Sequence, residues 1–178
     1  MSIDVIAGAT AGPFAAACVV LAFAGGSKIV RPSATRPAAT ALGLPGSPGA
    51  VRALGAVEAV SAVAALAIGG LAAVAVAAIY GALALAAWRL LVRAPGTACG
   101  CLGASTAPVT ATHVVVNVAA ALVAALAAAT SSPLSAVGSG VWSRVAFVVL
   151  VGCCAWLVTS VLDALPALNA VAREGGSR

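Results

Sequence analysis

A chain of 178 residues that is 63% hydrophobic and only 7% charged is not a soluble globular domain, in which about a quarter of residues are charged. A bilayer accounts for the excess apolar surface, since lipid requires no charged coat. The formal net charge of +5 is spread along the loops, where it serves as a topology determinant and calls for no nucleic-acid partner.

In chain order, Val5 to Ser27 is the first uncharged run and exceeds the roughly 20 residues that cross a hydrocarbon core. It predicts a helix over about 5–25. Only Asp4 precedes it as a charge, so the basic start of a signal peptide is missing and a retained helix is expected. Residues 28–52 form a polar-leaning connector with Arg31-Pro32, Arg36-Pro37 and the turn-rich run Gly43 to Gly49. Ala38 to Leu42 can form one turn of interfacial helix between these breakers. The connector is either a simple tether or a lid or docking surface.

Ala53 to Trp88 holds a single charge, Glu58, and is divided at Gly69-Gly70. It predicts a hairpin of two helices, 53–69 and 71–91. The loop 94–111 opens with Ala94-Pro95-Gly96 and carries Cys99-Gly100-Cys101-Leu102-Gly103. Two further runs predict helices at 112–130 and 141–163, joined by an uncharged Ser, Gly and Pro loop. Residues 1–170 read as a single transmembrane domain, and 171–178 as a disordered tail. Trp88 and Trp142 stand near opposite helix ends, as interfacial anchors do.

The expected fold is therefore all-α, a polytopic transmembrane bundle of about five helices. Lipid demands internal pairing of every backbone N–H and C=O, and these Ala- and Leu-rich runs lack the alternation of a barrel. Lys28, Arg31, Arg36, Arg52, Arg89, Arg93, Arg173 and Arg178 fall on one side, and Arg144 alone on the other. The positive-inside rule puts the N-terminus outside and the C-terminus in the cytoplasm, together with the cysteine motif.

Little in the chain is chemically reactive. With one histidine it cannot supply bis-His haem ligation. It has no phosphate-binding loop or dinucleotide fingerprint, and no Ser/His/Asp set, so no cofactor is expected. Cys99 and Cys101 are the leading catalytic candidates. A thiolate is the reactive form, and Arg89, Arg93 and a helix start lie close by in sequence. A disulfide across one intervening residue closes a small, strained and readily reduced ring, which Gly100 makes easier to close. Such a pair suits thiol exchange. The alternatives are free loop thiols, or a Cu(I) site in which Cys99 and Cys101 are joined by His113; otherwise no metal is expected.

Cys18, Cys153 and Cys154 lie inside helices and read as small apolar residues. Cys153 and Cys154 face different ways, and one of them meets Cys18 only if the first and last helices touch. Glu58, an acid inside a span, needs a partner or a cavity. Arg52, about 7–9 Å away along the axis, and Lys28 are the two candidates, in a structural or proton-handling role. Asn117 is placed to hydrogen-bond across helices.

These features together resemble the MauE branch of the MauE/DoxX redox-associated membrane proteins. The resemblance rests on Gly26-Ser27-Lys28, Arg31-Pro32, Leu42-Gly43-Leu44-Pro45, Glu58, the motif Cys99 to Gly103, and Asn117, in that order. It covers roughly residues 10–130, a four-helix core to which the last helix is an addition. The chain departs from the family pattern at Leu102, usually Phe, and at Val116, often Arg. The family is associated with maturation of methylamine dehydrogenase, alongside a thioredoxin-like membrane partner. The resemblance implies a bacterial plasma-membrane protein of a thiol–disulfide relay working through Cys99 and Cys101. Gly100, Gly103, Lys28, Glu58, His113 and Asn117 are the supporting residues. A Cu(I)-handling accessory protein and a non-catalytic subunit of a larger membrane complex are the other readings. Disulfides form outside the cytoplasm, so either a cytoplasmic motif draws on a cytoplasmic thiol donor or the topology is the reverse of that given by the charges.

Overall fold

Continuous apolar segments have to satisfy their backbone groups internally, and in the computed structural model of the chain they do so as helices. The structure describes residues 3–98, 100, 108–129 and 140–175. Among these, α1 (Ile3–Val30) is followed by a 3-10 turn (Pro32–Ala34) and α2 (Arg36–Ala41). Then come α3 (Pro48–Ile68), α4 (Gly70–Arg93), α5 (Ala111–Ala127) and α6 (Val141–Gly175). Four are long and apolar enough to cross a bilayer: α1, α3, α4 and α6. The apolar α5 has 17 residues and reaches only the lower end of the spanning range.

The helix ends differ from expectation for local reasons. α3 begins at Pro48, five residues before the expected start at 53. Ser47 caps it by accepting the Ala50 N–H at 3.2 Å, and Pro48 occupies the first helical position, where its missing N–H costs nothing. α6 runs to Gly175, past the expected end at 163 and through residues 171–175 of the expected tail; residues 176–178 lie outside the described residues. Hydropathy falls after Leu162, but Ala and Leu continue, and helix propensity rather than hydropathy sets that end.

Gly69 alone joins α3 to α4. Gly69 and Gly70 have φ of 62° and 51°, the left-handed region that other residues enter at a cost, so the chain reverses with almost no loop. The core is built mainly of small side chains. Phe14, Cys18 and Leu21 of α1 pack with Ala62 and Ala65 of α3, Ala73, Val76 and Tyr80 of α4, and Ala124 and Ala127 of α5. Small residues let helix backbones approach closely, which drives packing where lipid removes the hydrophobic incentive. The Tyr80 hydroxyl donates to the Ala17 carbonyl at 2.7 Å and ties α4 to α1.

α6 leans on α1 through Val151, Phe147 and Cys154 against Ala15 and Ala16. It makes no comparable contact with α5 among the described residues. Most of its apolar side chains are exposed, Trp142, Val148 and Trp156 among them, as a lipid-facing helix requires. Although α1 and α6 touch, Cys18, Cys153 and Cys154 are all free thiols. Cys18 packs in the core with Tyr80, while Cys154 packs against Ala15 and Ala16.

The 31–47 connector folds back as a cap. Ala38 of α2 is buried with Ala87 and Leu90 of α4 and with Val109. Past the end of α2, Gly43, φ 72°, closes the helix: the Leu44 N–H bonds the Ala39 carbonyl and the Gly43 N–H the Thr40 carbonyl, a Schellman closure. The segment thus packs against the bundle through Ala38 instead of hanging free.

Candidate functional site

The site is assembled at the end of the bundle where α1 and α4 finish and α3 and α5 begin. It starts from a glycine contact. An ideal Cβ on Gly25 would lie 2.5 Å from the Gly55 carbonyl oxygen, and one on Gly55 would lie 2.5 Å from that of Gly25. Only two glycines allow α1 and α3 to cross this closely. Three residues further on, Lys28 and Glu58 meet across the same crossing, Lys28 Nζ donating to Glu58 Oε2 at 2.7 Å. Their side chains are 1% and 0% exposed. Of the two partners weighed for Glu58, Lys28 is the one engaged. Arg52 is exposed and donates from Nε to the Ile29 carbonyl at 3.3 Å. Among the described residues, Glu58 Oε1 has no hydrogen-bond partner.

From Lys28 the chain runs two residues to the end of α1, through the 3-10 turn, to Thr35. The Thr35 hydroxyl is buried and donates to the Gly100 carbonyl at 2.9 Å. Gly100 has φ of +60°, and a Cβ there would sit 2.7 Å from both the Ala34 oxygen and the Thr35 Cα. The glycine between the two cysteines is thus set against the cap by shape and by a hydrogen bond. The base of the same loop is also closed. Ala98 and Pro108 form an isolated antiparallel bridge, and the Val109 N–H donates to the Thr97 carbonyl at 3.0 Å. Gly96, φ 87°, follows Pro95 in a turn closed by the Thr97 N–H on the Ala94 carbonyl at 3.2 Å. Pro followed by Gly in this order favours such a turn. Cys99, Cys101, Leu102 and Gly103 lie outside the described residues.

Gly100→Ala is expected to release this anchoring, because alanine at positive φ costs about 1–2 kcal/mol before the clash with Ala34 is counted. The maleimide labelling rate of Cys99 and Cys101 should rise several-fold in the variant. An unchanged rate would show that the contact does not restrain the loop.

His113 and Asn117 stand one turn apart on α5. His113 is buried rather than hydrated, at 5% exposure, and caps its own helix. The Thr110 N–H donates to His113 Nδ1 at 3.2 Å, and the Thr110 hydroxyl lies 3.0 Å from the same nitrogen. Both contacts engage the Nδ1 edge of the ring and tie His113 to the start of α5. Asn117 donates from Nδ2 to the His113 carbonyl at 2.7 Å, a bond along its own helix rather than the expected one across helices. No group of three or more His, Cys, Asp or Glu that could hold a metal occurs among the described residues.

Sequence reasoning missed Thr35, which looks like any loop threonine until the fold brings it to Gly100. It also missed the pairing of Gly25 with Gly55, although Gly25-x-x-Lys28 and Gly55-x-x-Glu58 repeat one spacing. The chain matches the family described as Methylamine utilisation protein MauE over residues 7–130. It belongs to the MauE family. No characterised protein and no solved structure matches. The MauE match takes in α1 to α5 and with them Lys28, Glu58, the cysteine loop and Asn117; α6 lies beyond it. This MauE protein is a multi-pass membrane protein, with a buried ion pair across the α1–α3 crossing at one end of its apolar bundle.

Proposed function

We propose that this MauE-family chain is the membrane component of a thiol–disulfide relay, exchanging electrons between Cys99–Cys101 and a thioredoxin-like partner. The observation that carries this reading is the anchoring of Gly100. A loop holding two thiols is pinned at its centre by Thr35 and at its base by the Ala98–Pro108 bridge, on a cap whose parent helix is fixed by a buried ion pair. Free structural thiols need no such support. Holding a loop in one conformation suits a site that must present sulfur to another protein.

In the exchange, the Cys99 thiolate attacks a sulfur of the partner's disulfide and releases the partner's other thiolate. Cys101 then attacks the Cys99 sulfur of the mixed disulfide. The partner leaves as a dithiol, and Cys99–Cys101 becomes the disulfide. The reverse sequence carries the two electrons the other way. The basic residues gathered on one side support an orientation with this loop and the C-terminus in the cytoplasm and the N-terminus outside.

Cys101→Ser is expected to accumulate a mixed disulfide with the thioredoxin-like partner, visible as a reducible shift on a non-reducing gel. The double replacement of Cys99 and Cys101 by Ser abolishes it. If neither single nor double replacement alters partner capture or maturation of the target, the chain is a structural subunit instead. Labelling of intact cells with an impermeant thiol reagent reports the side of the membrane.

A further inference from the structure

Charge at the loop end of the bundle is one-sided. Between residues 5 and 162 the only acid is Glu58, and it is buried against Lys28. Arg31, Arg36, Arg52, Arg89 and Arg93 are all exposed. Arg52 is engaged with the Ile29 carbonyl. The other four make no ion pair or side-chain hydrogen bond among the described residues. A topology determinant works from anywhere in its loop, but these four stand on the segments that hold the cysteine loop. Arg36 follows Thr35, whose hydroxyl donates to the Gly100 carbonyl. The Arg31 carbonyl accepts the Ala34 N–H, in the turn that Gly100 packs against. Arg93 ends α4 and leads into the Pro95-Gly96 turn that opens the loop. Arg89 precedes Leu90, which is buried with Ala38 and Val109. The loop they border, 94–110, has no charge of its own. Beyond its apolar span α6 adds Asp163, Arg173 and Glu174, too little to offset the rim.

We infer that Arg31, Arg36, Arg89 and Arg93 form a docking surface for an acidic face of the thioredoxin-like partner, the face that borders the partner's own reactive cysteine. The inference deepens the thiol-exchange reading and rests on it for the kind of partner. The surface itself is built from described residues outside the loop. Its placement favours a protein over the other anionic surface available, lipid headgroups. Headgroups reach the perimeter of a bundle. Arg31 and Arg36 stand past the end of α1, on the cap. Arg36 lies two residues, about 200° around a helix, from Ala38, which the cap buries against α4, so it is on the side of α2 away from the bundle. Arg89 and Arg93 stand one turn apart at the end of α4. An object lying across the bundle end meets the cap pair and the α4 pair together. Four like charges with no acid among them attract an acidic face and repel a basic one, which selects the partner. Rim charges of this kind raise the rate of encounter more than they slow release, as suits a partner that leaves after each exchange.

The test uses the full chain in nanodiscs, which open both faces to solution, so the readout does not depend on orientation in the cell. The probe is a soluble thioredoxin-fold protein with acidic residues around its Cys-x-x-Cys motif, its reactive cysteine replaced by Ser so that binding is noncovalent. Replacing all four arginines by Gln should slow association at least about tenfold and change dissociation little. Arg36→Gln alone should give a several-fold share of this, and keeps the test open if the fourfold variant assembles poorly. Raising the salt from about 0.1 M to about 1 M shortens the screening length from about 10 Å to about 3 Å and should erase the difference. A probe with its acids changed to amides should bind the native chain as slowly as the acidic probe binds the fourfold variant. Arg144→Gln, at the opposite end of the bundle, should leave association unchanged. Association indifferent to the four substitutions, or slowed equally by Arg144→Gln, overturns the proposal. So does a fourfold variant that loses copurifying phosphatidylglycerol while binding the probe normally, which assigns the arginines to lipid. Mixed-disulfide formation with the unsubstituted probe is scored separately. Exchange without charge-dependent docking sinks the surface alone, and docking without exchange sinks the thiol reading alone.

Discussion

Replacing Lys28 by Ala should destabilise the bundle by about 3–5 kcal/mol, the usual result of leaving one member of a buried ion pair without its partner. The pair itself is not a large net source of stability, because the desolvation of two charges offsets most of their attraction. The loss comes from what remains. Glu58 is fully buried, and Arg52 is committed to the Ile29 carbonyl on the exposed side of α3. Replacing both residues with apolar ones of similar volume, Lys28→Met with Glu58→Leu, should recover most of the loss. Unfolding titrations in mixed micelles distinguish the two cases. If single and double variants fall equally, the pair is making a net contribution well above that of ordinary buried ion pairs. If the double variant is stable but fails in partner exchange, the pair serves the site and not the fold.

Gly55→Ala should be the most damaging of the small substitutions. The added methyl would lie 2.5 Å from the Gly25 oxygen and 2.9 Å from the Lys28 Cβ, and backbone cannot move aside as a flexible side chain can. The helices have to separate, at a cost of about 1–3 kcal/mol for overpacking, and the ion pair lengthens with them. Gly25→Ala meets the same obstruction from the other side. Gly26→Ala is the control: nothing lies within 4 Å of its Cβ, and alanine gains up to about 1 kcal/mol over glycine within a helix. Thermal denaturation of the three variants should therefore split between neighbours in sequence, Gly25 and Gly26, with opposite signs. Because Gly55 and Lys28 touch, Gly55→Ala combined with Lys28→Ala should cost less than the two separate losses together. Strict additivity would mean that the crossing and the pair are independent.

Much of this architecture is legible in the residues. Long uncharged runs have one solution in lipid, so the spans, the Gly69-Gly70 reversal and the membrane class follow from hydropathy alone. Helix ends were less legible, because they depend on caps such as Ser47 and on propensity beyond the apolar run, as in α6. Glu58 was recognisable as a buried acid in need of a partner. Its choice between Lys28 and Arg52 was not, because both lie within reach and only the glycine crossing brings one of them across. Cys99 and Cys101 stood out by chemistry. Thr35 did not, since its role depends on a contact spanning sixty-five positions that no local pattern encodes. The burial of His113 was not legible either, since it depends on the cap that Thr110 makes at the start of α5.

The single-residue link at Gly69 has a consequence for biogenesis. α3 and α4 cannot be delivered to the bilayer one at a time, because no slack separates them; they enter as a unit, and the acid on α3 enters with it. α1 precedes them in the chain and carries its lysine in its last turn. The first charge thus waits at the surface for the second, and neither has to cross the hydrocarbon alone.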